Sequence, residues 1–327
     1  MYAIQVQSDQ PDRPLVWQEV ADPTFGPDEV LVNIHATALN RADLAQRAGN
    51  YPPPPGAPDI LGLEMAGVVA AVGSHVRAWH PGDRVCALLG GGGYAEKVAV
   101  HQSQLMPIVP DWSFAEAAAL PETYFTAFVN LFMEAHIKPG ETALVHGGAS
   151  GVGTAAIQLL HELGHTVIAT AGSPEKTAAC RKLGADLAIN YREEDFAERV
   201  QSFTAGQGVD VILDMVGKEY FARNLDLLKT RGRLVLIATL SGAQVELDIS
   251  RVMRKRARLI GSVLRARSLD EKQEIRDNFI NRCWRLMQRG QVKPVIDQIL
   301  PIREANAAHA YMADNRNIGK IVLSVKE

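Results

Sequence analysis

Over about the first 120 residues, apolar positions come in short runs broken by glycine and proline, as at 29–35 and 67–73. Short runs between frequent turns predict an antiparallel, barrel-like β domain. Residues 1–7 read as its first strand, with no basic segment leading into an apolar one as a signal peptide would have. From residue 141 the pattern changes. Strand-like runs at 142–146, 165–170, 185–190, 209–215 and 233–238 alternate with helical periods at 151–163, 174–183, 195–204 and 220–228. That alternation predicts a right-handed, doubly wound parallel sheet. Between the two patterns, Ser113 and Glu116 stand three apart as a capping box. A long amphipathic helix is expected at 270–289, and 319–325 reads as a strand returning to the β domain. Residues 51–58 (YPPPPGAP) form a stiff extended loop, because proline fixes φ and removes donors; it is either a rigid connector or a wall of a substrate cleft.

Composition narrows the class. The chain has 327 residues, about twice the ~150-residue prior for one domain. With 47% hydrophobic and 22% charged residues it suits a soluble globular protein. A net charge of -3 lacks the footprint of a nucleic-acid binder, so the Arg-rich stretch 251–258 is read as a solvated helix face or a cofactor-adjacent surface. No apolar run reaches the ~18 residues of a membrane span. Cys86, Cys180 and Cys283 are scattered and odd in number, which opposes a disulfide framework or a Cys-rich zinc site and fits a reducing, cytoplasmic setting.

The most informative chemistry lies at 144–159. An apolar strand enters His146-Gly147-Gly148-Ala149-Ser150-Gly151-Val152-Gly153 and leaves as a helix. Small residues allow backbone to approach a pyrophosphate, and the helix N-terminus offers free N–H groups. Counting back from Gly153, Ser150 stands where the middle glycine of a dinucleotide fingerprint belongs; its hydroxyl either touches the pyrophosphate or restricts the loop. The next strand ends in Thr170-Ala171-Gly172-Ser173-Pro174-Glu175-Lys176, without the acid that holds a ribose 2′-OH. Ser173 and Lys176 can instead meet a 2′-phosphate, so NADPH is expected over NADH. The plainer reading keeps Ser173 as an N-cap and Lys176 as a surface residue.

Asn40-Arg41-Ala42-Asp43, Gly62-Leu63-Glu64-Met65-Ala66-Gly67, Pro81-Gly82-Asp83-Arg84-Val85 and the Ser150–Gly153 loop together resemble the medium-chain dehydrogenase/reductase superfamily. Within it, the chain is similar over essentially its whole length to the zinc-free, NADPH-dependent quinone oxidoreductases. The resemblance implies an α/β fold. A GroES-like β-barrel catalytic domain would comprise 1–120 and 262–327, and a Rossmann doubly wound NADPH-binding domain 121–261. It also implies a homodimer paired through an edge strand near 259–263. Zinc-dependent relatives carry Cys and His where this chain has Asn40 and Leu63, and leucine cannot ligate metal, so no metal site is expected; Glu64 reads as a hydrogen-bonded structural carboxylate.

Carried over by position, Asn40 and Thr126 would contact the nicotinamide side of NADPH. Ser150, Gly151 and Val152 would hold its pyrophosphate. Ser173, Lys176 and Tyr191 would surround the 2′-phosphate, Tyr191 otherwise only packing on the adenine. Val263, Leu264 and Arg265 would face the nicotinamide. Asn317 would contact the cofactor or serve a turn. Tyr51, with Asn40, would form the catalytic pair, Tyr51 acting as proton donor or as an aromatic lid. The implied activity is NADPH:quinone reduction. A related alkenal or enoyl-thioester reductase, or a non-catalytic NADPH- or RNA-binding protein, are the competing readings.

Overall fold

Strands in the first unit follow the alternation of apolar side chains. The computed structural model describes residues 1–326. It begins with β1 (Tyr2–Val6), β2 (Leu15–Glu19), β3 (Glu29–Ala38), α1 (Arg41–Arg47), β4 (Glu64–Val72), β5 (Arg84–Leu88), β6 (Lys97–His101), β7 (Leu105–Pro107), α2 (Phe114–Ala118) and α3 (Pro121–Phe128). Along β3, Val30, Val32, Ile34 and Ala36 turn inward while the residues between them are half-buried, the period-two signature of a strand with one face on a core. They meet Met65, Val69, Val85 and Val98 in one apolar cluster, apart from Ala36. At Gly67 a Cβ would lie 2.1 Å from the Asn33 carbonyl oxygen, so only glycine lets β4 approach β3 this closely. Ser113 and Glu116 cap α2 reciprocally, as the spacing predicts. The loop at 51–58 is not extended throughout: Ala57 N–H closes a turn on the Pro54 carbonyl, since prolines leave carbonyls free to accept.

The second unit is residues 126–263 with 289–292, and the first unit is the rest. It holds β8 (Thr142–Val145), α4 (Gly151–Glu162), β9 (Thr166–Ala171), α5 (Pro174–Lys182), β10 (Leu187–Asn190), α6 (Phe196–Phe203), β11 (Val209–Asp214), α7 (Lys218–Leu227), β12 (Leu228–Leu236), α8 (Ile249–Lys255) and β13 (Arg258–Gly261). The strands are all parallel, in the order β10-β9-β8-β11-β12-β13. Numbered within the unit this is 3-2-1-4-5-6, the dinucleotide-fold order, whose switch point lies between β8 and β11. Helices cover the sheet, so the strands read as unbroken apolar runs: Leu144, Ile168, Ile189, Ile212 and Leu234 share one core.

The chain then returns to the first unit with α9 (Leu269–Gln288), β14 (Ile296–Pro301), α10 (Ala305–Ala313) and β15 (Lys320–Ser324). β15 pairs antiparallel with β3, with Val322 opposite Ala38, so the C-terminal strand does rejoin the β domain. α10 has no counterpart among the elements that the sequence predicts; its alanine-rich run lacks a polar face with clear helical period.

At the switch point a buried polar network ties three strand ends together. His146 Nε2 lies 2.9 Å from Asn224 Oδ1 and Nδ1 lies 3.0 Å from Thr170 Oγ1. Asn224 Nδ2 donates to Asp214 Oδ2 at 3.1 Å, so its oxygen faces the histidine. It follows that Nε2 carries the proton and Thr170 donates to Nδ1. Burial holds the His146 pKa below its usual value, against the pull of Asp214. A depressed histidine pKa means the unfolded chain binds the extra proton. The stability that His146 contributes is therefore full above about pH 6.5 and is lost as pH falls below it. His146→Ala, leaving the Asn224 oxygen without its donor, should cost about 1–3 kcal/mol at pH 8. In denaturation series from pH 8 to pH 5 the gap to wild type should narrow toward acid; a gap independent of pH contradicts this assignment.

Candidate active site

In the second unit the loop from β8 into α4 is built for close backbone approach. Gly147 has φ +62°, and a Cβ at Gly153 would sit 2.2 Å from the Gly147 carbonyl oxygen. Gly153 thus serves the loop folding back on itself. Ser150 is the N-cap of α4: its Oγ accepts from Gly153 N at 3.0 Å and its hydroxyl points to Met215 Sδ at 3.7 Å. The hydroxyl therefore orders the loop. The N–H groups of Gly151 and Val152 make no hydrogen bond among the described residues. Paired at the positive end of a three-turn helix, at the switch point, they fit an anionic pyrophosphate.

The end of β9 gathers the residues expected around a 2′-phosphate. Ser173 caps α5, accepting from Lys176 N at 3.3 Å, and also hydrogen-bonds the Glu175 carboxyl, which lowers that group's pKa. Tyr191 is exposed, and its hydroxyl lies 2.6 Å from where a Cβ on Gly172 would stand. Ser173 and Tyr191 thus share one corner, with half-buried Lys176 in the first turn of α5. Glu175 is a carboxylate in the same corner, a feature that opposes a phosphate unless it turns outward. Ala238, Thr239, Ser262 and Val263 line a cavity of about 360 Å³ at the carboxyl ends of β12 and β13. Thr126 is half-buried, and its carbonyl accepts from Asn130 Nδ2 at 2.8 Å where α3 widens into a π-helical turn, Val129–Glu134.

In the first unit the site is a buried polar cluster. Lys320, at the start of β15, is 3% exposed and spends its three ammonium protons on Leu39 O (2.5 Å), Asn40 Oδ1 (2.7 Å) and Glu64 Oε1 (2.7 Å). Asn40 Nδ2 gives its protons to Glu64 Oε1 at 2.8 Å and Ala38 O at 3.3 Å. Glu64 Oε2 accepts the Glu122 backbone N–H at 2.8 Å. Asp43, fully buried, accepts from Asn40 N (2.8 Å) and Gly62 N (3.0 Å). The Asn40 amide is thus committed inward at both ends, and Glu64 is the structural carboxylate expected.

Three carboxyls surround one ammonium in this cluster, and the balance decides their charge. Glu64 takes the ion pair. Among the described residues neither Asp43 nor Glu122 has a lysine or arginine within ion-pair distance. Burial pushes Asp43 up to about 6. Burial first, and the Glu64 charge second, push Glu122 up to about 8. Its place in the first turn of α3 favours the anion by at most about 2 kcal/mol, and burial outweighs it.

Tyr51 stands beside Arg265. The guanidinium lies 5.2 Å from the ring centroid and donates to Gly90 O (2.8 Å), Tyr51 O (3.3 Å) and Gln46 Oε1 (2.7 Å). Arg265 and Leu264 are buried, and Val263 is exposed, so these three neighbours do not present one face; Arg265 fastens the Tyr51 segment. Burial, then the Glu122 charge, raise the Tyr51 phenol above its usual pKa. Asn317 donates to Gly319 O at 2.7 Å, the turn role. Lys320 and Glu122 are not among the residues that the sequence singles out. A lysine opening the otherwise apolar run Ile321-Val322-Leu323 is a usable signal, whereas an acid after proline at a helix start reads as dipole compensation.

Comparison with known proteins fits this geometry. Residues 151–281 match a family profile described as zinc-binding dehydrogenase, and 26–111 one described as alcohol dehydrogenase GroES-like domain. "Quinone oxidoreductase-like protein 2" of Bos taurus is 32% identical over 96% of this chain and 90% of its own length. "Quinone oxidoreductase" of Rattus norvegicus is 31% identical over 93% of this chain and 92% of its own. Among solved structures, Escherichia coli quinone oxidoreductase complexed with NADPH superposes with TM-score 0.88 at 30% identity, covering 99% of this chain and 100% of that one. An NAD-dependent alcohol dehydrogenase gives 0.88 at 31%, covering 100% of both chains. CurK enoyl reductase gives 0.84 at 30%, covering 99% and 98%. With a GroES-like unit, a parallel dinucleotide-fold unit and full-length relatives above 30% identity, this chain belongs to the medium-chain dehydrogenase/reductase superfamily and is a quinone oxidoreductase-like member of it.

Proposed function

We propose that this protein is an NADPH-dependent reductase that acts on quinones without zinc. The observation that carries the reading is the Lys320–Glu64–Asn40 cluster. Leu63 is buried and apolar, and Asn40 and Glu64 already hold a cation, the Lys320 ammonium. A metal would have to displace a buried salt bridge to reach those side chains. The quinone class comes from the relatives named above. When bound, the nicotinamide supplies a hydride, and the chain supplies binding, orientation and protons. Gly151 and Val152 N–H hold the pyrophosphate, with Ser150 keeping the loop in shape. Ser173 and Lys176 meet the 2′-phosphate beside Tyr191. Tyr51, fastened by Arg265, lines the acceptor site.

Reduction of a conjugated enoyl thioester is the second reading, favoured by the CurK neighbour. We also propose a cytoplasmic homodimer. β13 is an edge strand, and Ile249 and Met253 on α8 are 66% and 70% exposed, an apolar surface that a second copy would cover. The three cysteines are buried free thiols, in keeping with a reducing compartment. Among the described residues no helix is long and apolar enough to cross a membrane.

Oxidation of NADPH with 1,2-naphthoquinone in the presence of a chelator should be fast, and that of NADH slow. Lys176→Ala should raise KM for NADPH about 10-fold or more, the worth of one charged hydrogen bond, and leave NADH untouched. Equal use of both cofactors would remove the phosphate-pocket reading, and turnover of enoyl thioesters alone would favour the second acceptor class. Light scattering should give twice the 35.6 kDa chain mass, reduced to one chain by Ile249→Glu with Met253→Glu; a wild-type monomer contradicts the dimer.

A further inference from the structure

Reduction of a quinone or an enoyl group needs a proton as well as a hydride. On the reading above, we infer that Glu122 is the internal acid of this reductase, giving its carboxyl proton to the oxyanion left on the acceptor after hydride arrives. In that step the Glu122 O–H bond breaks and an O–H bond forms on the product. The hydride's electron pair ends in the acceptor, and the Glu122 carboxylate is reprotonated from solvent.

The inference stands on charge and geometry. Glu122 Oε2 is covered and has no hydrogen-bond partner among the described residues, an arrangement that would be costly for an anion and is tolerable for an acid. The residue as a whole is half-buried. Four elements bring charge to it. β4 presents Glu64 and α1 presents Asp43, both of which oppose ionisation; β15 presents Lys320 and α9 presents Lys272, both of which favour it. The two lysines are spent elsewhere. Lys320 is ion-paired to Glu64, and Lys272 Nζ donates to the Arg265 carbonyl at 2.8 Å. Glu122 is therefore left as the surplus carboxyl.

Its neighbours are those expected at the acceptor. Glu122 acts on Tyr51 and on Arg265 through its charge, and its backbone N–H is bound to the same Glu64 that holds Asn40. Tyr51 is the poorer donor. Burial and Glu122 raise its phenol above an already high pKa, whereas the Glu122 carboxyl, at about 8, is protonated at neutral pH and close enough to it to be regenerated each cycle. Tyr51 then serves as the wall that places the acceptor.

The test has two arms. In the first, infrared titration of the protein without cofactor should show a protonated-carboxyl band at pH 7 that disappears as pH rises through about 8 and is absent in Glu122→Gln. In the second, turnover with NADPH should fall above about pH 8 in wild type. It should be roughly 100-fold lower and flat with pH in Glu122→Gln, whereas Tyr51→Phe, slower through looser placement of the acceptor, should still fall above about pH 8. Glu122→Asp, which keeps the carboxyl and guards against a variant that fails to fold, should restore the band and part of the rate. No band at pH 7, or an unchanged pH profile in folded Glu122→Gln, overturns the inference. If wild type reduces enoyl thioesters and no quinone, the quinone reading fails alone, because the same proton is needed and the same profile is read on that acceptor.

Discussion

The buried ion pair between Lys320 and Glu64 is the constraint on which the first unit's site depends. Neither charge reaches water: Lys320 is 3% exposed and Glu64 fully buried. Such a pair is tolerated only when every remaining proton and lone pair is used. That condition is met by Leu39 O and Asn40 Oδ1 on the lysine side, and by Asn40 Nδ2 and Glu122 N on the carboxylate side. The satisfied set fixes the orientation of the Asn40 amide, the start of α1 and the start of α3 in one step. It also gives the C-terminal strand a reason to return. β15 brings Lys320 in beside β3, in a sheet whose other strands, β14 apart, come from the first 107 residues.

The same pair sets the charge of its neighbours. One ammonium cannot compensate three carboxyls in a low-dielectric interior, so the two carboxyls outside the pair lean toward the neutral form. Asp43 is relieved by two backbone N–H groups and by its place at the start of α1. Glu122 has less relief, and its covered oxygen has none. The site thus sets a fixed charge and a fixed amide beside a carboxyl that burial pushes toward its neutral form. In the second unit the logic is complementary. Backbone N–H groups and a helix end supply the positive field, and the side chains Ser150 and His146 are spent on holding that backbone still.

What is legible in the sequence is mostly what depends on local period. The alternation after residue 141 marks each parallel strand and its helix, because a strand buried on both faces must be apolar throughout. The Ser113 and Glu116 spacing marks a cap that forms as expected. The loop at 147–153 is readable because the close approach of Gly153 to Gly147 excludes any side chain. The cluster around Lys320 is not readable as a whole. Its members lie at 40, 64, 122 and 320, on two strands and at the starts of two helices, and meet only in the folded chain, so no window of sequence contains them. The π-helical turn at Val129–Glu134 is hidden for another reason: its composition is that of an ordinary apolar helix, and the widening is absorbed by Asn130 reaching back to Thr126.

The most direct test of the buried pair is a double-mutant cycle in folding stability on Lys320→Met and Glu64→Gln. If the pair is a satisfied buried unit, each single change strands a buried charge or polar group and costs about 3–5 kcal/mol, and the double variant costs clearly less than the sum. Additive losses, or a loss below about 1 kcal/mol for Lys320→Met, would show a surface-like pair of little consequence and would contradict the role of Lys320 as the internal cation that organises the site.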